Sequence, residues 1–510
     1  MSHTPRTPGT LPESLDQKLH RAAGHPITGD DGFDIHAELN ATLGAVGMSE
    51  EDAGGTVTFE GADPVVPSTL RVASATGVGL MAKSVAMAKM WRFRGGEGQD
   101  LSLDLRTAPS RLCPFYEGKW ELLNGALLPG FGPGVPQSSV AMGFFRTRDG
   151  RHIASINPYT HLSDRTLRLL RTYDDPQAVR EAFARWDAPD LERAGAEAGV
   201  PLTMVRTLPE FLREPQYLDF LKDMPLVEVE KTGESAPEPL PAGADSPLAG
   251  VRALGMSHII AGAGIGRLLA YHGADALNIW RPNEPEHGFL FGTASVGVRH
   301  TTLDARAGEG RAAVRELLRG ADVFYANRRP GYLDRLGLTP QDAAEIRPGI
   351  IHASVSLHGE RGPWAQRVGF DQNAGVVAGV MTAEGTPDNP RLPVVPVVND
   401  WLVPMLATTG IVEALIRRAT EGGSYRVHVS LTRIALWILS LGLFDKTYAA
   451  AVAGSDEEHT QRAPELFTAR TPFGDYQGIT DQVRMSATPG GFRHVVLEPR
   501  TASRPEWLRR

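Results

Sequence analysis

The chain has 510 residues, 42% of them hydrophobic and 22% charged, a composition that builds large buried cores spread over about two to four domains. Its formal net charge of −8 excludes a mainly electrostatic grip on nucleic acid or anionic lipid, while 52 Lys and Arg leave room for local phosphate pockets. A single cysteine, Cys113, excludes a disulfide framework and a Cys-rich metal site and indicates a reducing, cytoplasmic compartment; as a lone thiol it reads as a small apolar filler.

In chain order, the opening MSHTPRTPGTLPESLD is polar and lacks the apolar core of a signal peptide. Residues 1–55 are rich in Pro, Gly and acids and read as a partly ordered arm. Residues 56–139 form a helix–strand segment joining a large domain. Here VGLMAKSVAMAKMW is apolar at helical spacing, GGEGQ breaks it, and LSLDL alternates as a strand. Residues 140–229 read as a small α/β unit, with a strand pair around FFRTRDGRHIASI and helices through PEFLREPQYLDFL. Residues 230–247, KTGESAPEPLPAGADSPL, have linker composition.

From 248 the pattern changes. Strands are predicted at 251–256, 276–280, 322–326 and 349–357, with helices at 266–273 and 310–320 between them. That alternation predicts an α/β fold with a doubly wound parallel sheet over 248–445, followed by a C-terminal segment, 446–510. Ligands of such sheets bind beyond the carboxyl ends of the strands. The apolar stretches Trp401–Val412 and Ile434–Phe444 are too short to span a bilayer and read as core helices. RGGEGQDLSLDL (94–105) echoes EGGSYRVHVSL (421–431), each a Gly-Gly turn between an apolar helix and a strand. Superposing the echoes sets Ser74 opposite Asp400, so the first half lacks that acid.

Several motifs are excluded. Gly262-Ala-Gly264-Ile-Gly266 looks like a dinucleotide loop, but its third glycine falls one residue early and no acid follows at the tip of the next strand. Close backbone packing accounts for it. No His-x-x-x-His spacing, nucleophile elbow or Walker loop is present, so no metal or nucleotide-triphosphate site is expected.

Asp400 stands between the apolar run VVPVV and a long apolar helix. From the residues alone, it reads as a cap for free backbone N–H groups, or as a functional carboxylate. The stretches ADVFYANRRPGYLDRLGLTP, GIIHASVSLHGERGPWAQRVGFDQNAGVVAGVM and LPVVPVVNDWLVPMLATTGIVEAL, with PLAGVRALGMSHIIAGAGIGRLLAYHGADALNIWRP upstream, resemble the family III (CaiB/BaiF) CoA-transferases. That group includes formyl-CoA transferase, the carnitine CoA-transferases and the methylacyl-CoA racemases. The resemblance covers 247–431 in consistent order. It implies a CoA-transferase acting on acyl-CoA and a small carboxylic acid, with no tightly bound cofactor, no nucleic acid or membrane partner, and a homodimer.

By the same resemblance Asp400 is the nucleophile. An ionised carboxylate attacks a thioester directly, giving a mixed anhydride and then an aspartyl thioester. Asn327, Arg335, Leu336, Ile259, Ile260 and Arg299 would face the nucleotide end of CoA. Backbone amides of GFGPG (130–134) and of the His358–Gly359 turn are candidate oxyanion donors. Two positions depart from the family: Phe370 replaces the base of the racemases, and Asn278 stands where many relatives have Lys. Residues 140–220 resemble the family's later part but come first here, which predicts a permuted or truncated-tandem chain with one site assembled from both halves. Acyl-CoA isomerisation and a catalytically silent CoA-binding protein are the competing readings.

Overall fold

The computed structural model describes residues 13–130 and 137–509. Its centre is a seven-stranded sheet built by the alternation seen in the sequence. In chain order the strands are β1 (Glu228–Gly233), β2 (Arg252–Met256), β3 (Asp275–Trp280), β4 (Arg299–Thr302), β5 (Val323–Ala326), β6 (Ile351–Ser356) and β7 (Ser424–Ser430). Their order across the sheet is β4-β3-β2-β5-β6-β7-β1. The first six are parallel and β1 closes the edge antiparallel to β7. Strand order reverses between β2 and β5, so their carboxyl ends open a crevice. β2, β3 and β5 are buried along nearly their whole length and read as largely apolar runs, as sheets covered on both faces require.

The edge strand is a correction. Residues 230–233 have linker composition, yet they pair with β7 through Glu230 opposite Arg426 and Lys231 opposite Tyr425. The unpaired edge of β7 drew in a sequence with weak strand propensity of its own. The N-terminal arm is corrected as well. Helices Leu15–Gly24 and Ile35–Gly44 bury Leu19, Leu39 and Leu43 completely in the main core. Glu38 of the arm accepts a hydrogen bond from the Trp437 indole at 2.7 Å.

Two long helices pack together beneath the sheet, Val72–Phe93 and Asn399–Glu421. Both are apolar on all sides because neither faces solvent over most of its length. Gly79 lets them approach: a Cβ there would sit 2.9 Å from the Leu402 side chain. The sequence echo is therefore a structural one. Each helix leads through a Gly-Gly turn into a strand, Gln99–Asp104 in the first half and β7 in the second. Each also begins against a carboxylate from another segment. Asp63 accepts the amides of Ala73 and Ser74 at 3.1 and 2.6 Å, and Asp371 accepts the amide of Asp400 at 2.7 Å.

Residues 140–229 contribute a three-stranded antiparallel sheet of Met142–Arg146, His152–Ile156 and Leu202–Met204. Its helices close over a separate small core around Ile153, Val179, Phe183 and Leu191. The C-terminal stretch returns to the first half: Gly474–Ile479 pairs with Leu122–Leu123, and Arg484–Met485 pairs with Gln99–Asp104. No described helix is long and apolar enough to cross a membrane.

Candidate active site

A cleft of about 640 Å³ opens at the carboxyl ends of β2, β5 and β6. Asp400, Ile259, Asn327 and Arg335 line it together, with Phe370 and Gly359. The small α/β unit supplies Tyr159, His161, Leu162 and Pro201 to the opposite wall, so both halves of the chain build it.

The loop that carries Ile259 is held by two asparagines. Asn278 accepts from the amide and hydroxyl of Ser257 at 3.0 and 3.1 Å and donates back to its carbonyl at 3.0 Å. Asn327 accepts from the His258 amide at 3.2 Å and donates to the His258 carbonyl at 2.8 Å. These reciprocal amide pairs force the next residue out of the strand. Ile259 takes φ 61°, a left-handed conformation rare for a β-branched side chain. Its amide then donates to Glu286 at 2.8 Å, and Glu286 also accepts from the Tyr159 hydroxyl at 2.7 Å. Tyr159 thus reaches across the cleft from the small unit and ties it to the strained loop.

The glycines of the GAGIG segment serve packing. A Cβ on Gly262 would strike the Asn327 amide, one on Gly264 would sit 2.9 Å from Pro404, and one on Gly266 would strike the Tyr325 hydroxyl. Asn278 likewise has a structural task, since its amide is spent on Ser257.

Asp400 occupies the first turn of Asn399–Glu421 and is 7% exposed. No described residue hydrogen-bonds its carboxylate. Burial pushes its pKa well above the usual carboxylate range, and the charge of Asp371 adds to that. Asp371 is itself pushed up to about 7 by burial, but the amides of Asp400 and Asn399 favour its charged form. The pair therefore places its negative charge on Asp371 first and leaves Asp400 as the protonated partner. Burial and the charge of Asp371 thus both resist ionisation of Asp400, a resistance the sequence did not show. The N-terminal end of the helix works the other way, since its free amides favour an anion. Pro404 has no N–H for the carbonyl of Asp400, which leaves the first turn loosely bonded there.

The other predicted residues fall out as follows. Arg335 is exposed at the cleft rim and makes no ion pair among the described residues. Asn327 lines the cleft, but its amide is spent on His258. Ile260 and Leu336 are buried in the cores behind the wall, at 1% and 4% exposure. Arg299 is not in the cleft: its guanidinium is paired with Asp275 at 2.9 and 3.0 Å and donates to the Glu506 carbonyl. A buried carboxylate on β3, invisible to motif reading, captures it. The Gly359 amide donates to Ser356 at 3.0 Å and is not free as an oxyanion donor. In GFGPG, Gly130 is described and the remaining residues lie outside the described ones. Burial pushes the Cys113 thiol well up, which makes it inert.

Sequence reading missed Tyr159, Glu286 and the role of Asp371. The rim also carries Arg281, Arg329 and Arg367, which with Arg335 give the cleft mouth a basic character suited to phosphates. Arg281 and Arg328 both pair with Glu284, whose pKa is held down to about 2: burial opposes its charge and Arg328 outweighs that. Among the described residues no His, Cys, Asp or Glu cluster could hold a metal ion.

Fold and site together define a doubly wound α/β protein whose basic cleft ends at a buried carboxylate pair. Residues 248–477 match the model of CoA-transferase family III. Acetyl-coenzyme A transferase nodX of Hypoxylon pulicicidum is 30% identical over 40% of this chain and 36% of its own length. The formyl-CoA:oxalate CoA-transferase of Streptomyces avermitilis is 27% identical over 51% of this chain and 69% of its own. The probable CoA-transferase Rv1866 of Mycobacterium tuberculosis is 26% identical over 78% of this chain and 58% of its own. The chain thus spans between about a third and two thirds of these relatives. Among solved structures, a CAIB/BAIF family protein from Brucella suis is 26% identical, covers 46% of this chain and 65% of its own, and has a TM-score of 0.36.

Proposed function

We propose that the protein transfers CoA from an acyl-CoA to a carboxylic acid through Asp400. The observation that carries this reading is the position of Asp400 in the wall of a cleft whose mouth is lined by arginines. A buried carboxylate without hydrogen-bond donors is a poor structural cap, and Asp371 already caps the helix.

The chemistry follows from the pair. Once Asp400 loses its proton, the carboxylate attacks the thioester carbonyl, the C–S bond breaks, and a mixed anhydride forms with release of CoA thiolate. The thiolate attacks the aspartyl carbonyl and frees the donor acid, leaving an aspartyl thioester. The acceptor carboxylate attacks that thioester to give a second anhydride, and the returning thiolate attacks its acyl carbon. That yields the new acyl-CoA and restores Asp400. These intermediates hydrolyse readily, so the site must be dry, and the bond from Tyr159 to Glu286 helps close it. Phe370 lines the cleft where racemases of the family carry a base, which favours transfer over isomerisation. Ile259, Asn327 and Arg335 stand along the route to the nucleotide end, with Ile260 and Leu336 supporting them from behind. The same reading makes the protein a cytoplasmic homodimer with no tightly bound cofactor.

The test is intact-mass and peptide mass spectrometry after incubation with short-chain acyl-CoAs and hydroxylamine. A hydroxamate on Asp400, absent in a folded Asp400→Ala variant, is the expected result. Tight CoA binding without any Asp400 adduct would sink the transfer reading and leave a CoA-binding protein.

A further inference from the structure

Strand β6 ends at Ser356, which is half-buried and lines the same cleft. Its Oγ lies 2.8 Å from Nε2 of His428 on β7. Nδ1 of that ring lies 2.5 Å from Oε2 of Glu228 on β1. The three residues come from neighbouring strands at the edge of the sheet. Glu228 is directly opposite His428, and Ser354 opposes His428 on the other side, so Ser356 lies two residues along the same face. His428 is fully buried.

The partners assign the tautomer. A carboxylate beside Nδ1 draws the proton there and leaves Nε2 as an acceptor for the serine hydroxyl. The Gly359 amide donates to Ser356 Oγ at 3.0 Å, which favours negative charge on that oxygen. Burial opposes charge on Glu228, but the hydrogen bond from His428 and the nearby Arg426 and Arg361, at 3.6 and 3.8 Å, hold its carboxyl below the usual range. Nucleophile, base and orienting acid thus stand in hydrogen-bonded sequence at the ligand end of the sheet.

We infer that Ser356, His428 and Glu228 form a second nucleophilic site, which hydrolyses thioesters or activated esters of small carboxylic acids that enter the cleft. Ser356 Oγ bonds to the acyl carbon, its proton passes to His428 Nε2, and the bond to sulfur or the leaving oxygen breaks. The leaving group departs with that proton. Water then attacks the acyl-serine, gives a proton to His428, and the freed serine oxygen takes it back. The sum is ester plus water to acid plus thiol or alcohol. This hydrolysis needs neither Asp400 nor a bound CoA.

The alternative role for the three groups is purely structural, a polar row tying the edge strands together. Treatment of the full-length protein with a fluorophosphonate probe, and separately with p-nitrophenyl acetate, distinguishes them. The expected result is a single phosphonyl adduct on the peptide containing Ser356. It should be lost in Ser356→Ala, together with at least about tenfold of the ester hydrolysis. Glu228→Gln keeps the shape of the pair and should slow labelling at least about tenfold. Circular dichroism confirms that each variant is folded. No adduct on Ser356 in folded wild-type protein overturns the inference, as does a Ser356→Ala protein that hydrolyses the ester at the wild-type rate. Because the probes contain no CoA, this outcome is read separately from whether transfer occurs.

Discussion

The carboxylate of Asp371 accepts the backbone amide of Asp400 at 2.7 Å, so one acid of the pair caps the helix whose first turn carries the other. Capping and charge repulsion come from the same group. Asp371 fixes where Asp400 stands and at the same time resists its ionisation.

Replacing Asp371 with Asn keeps an oxygen for the Asp400 amide and removes the repelling charge. The acid limb of the transfer rate should move to lower pH, because Asp400 then loses its proton more easily. Stability should respond as well. A carboxyl raised to about 7 contributes most favourably below its ordinary value near 3.8, and that contribution is lost as pH rises through about 7. Asp371→Asn should therefore flatten the fall in stability over that window. Rate profiles and urea unfolding across pH 4–9 measure the two effects; an unmoved acid limb would refute the coupling.

Tyr159→Phe removes the bond across the cleft while leaving the ring against His287. Glu286 keeps the Ile259 and His287 amides, so the cost should be about 1 kcal/mol of stability. The larger effect should be on substrate, with KM for acyl-CoA rising about five- to tenfold as the small unit loosens. Steady-state kinetics with thermal unfolding separate the two.

Asn327→Ala releases one of the two clamps on the loop before Ile259. The orphaned amide and carbonyl of His258 should cost about 2 kcal/mol, and Ile259 should relax from its left-handed conformation. Gly262→Ala should mimic this by pushing the Asn327 side chain aside. Both variants should bind CoA more weakly in calorimetry; a variant that melts lower yet binds CoA unchanged would show that the loop is structural only.

Lys83, 1% exposed, pairs with Asp481 at 2.9 Å and with His272 at 2.9 Å. Burial opposes charge on Asp481, but Lys83 and Arg111 outweigh it and hold the carboxyl far below the usual range. That stabilisation is present above the ordinary Asp value of 3.8 and fades as pH falls below it. Lys83→Met leaves the carboxylate buried without its closest cation and should cost about 3–5 kcal/mol at neutral pH. Chemical denaturation should show that loss shrinking in acid; a loss of under about 1 kcal/mol at pH 7 would contradict it.

Periodicity alone placed the strands at 251–256, 276–280, 322–326 and 349–357 close to where they lie, because buried parallel strands must be runs of apolar residues. It also bracketed Asp400, since a long apolar helix needs a polar start. The echo of helix, Gly-Gly and strand was legible because backbone turns demand glycine at fixed places. The short strand Arg299–Thr302 was not, for its four residues, Arg-His-Thr-Thr, carry no apolar signal and pair only because β3 offers an edge. Residues 230–233 were hidden for the same reason.

What the sequence by itself determined, then, was local: which segments are apolar, with what period, and which acid begins the long helix. What the tertiary structure decided was which charges meet. Asp275 claims Arg299, His258 claims Asn327, Asp371 opposes Asp400, and Lys83 finds Asp481 across 398 positions of chain. Such pairs are set by Coulomb energy and desolvation between groups brought together by packing, and neither quantity exists until the chain has folded.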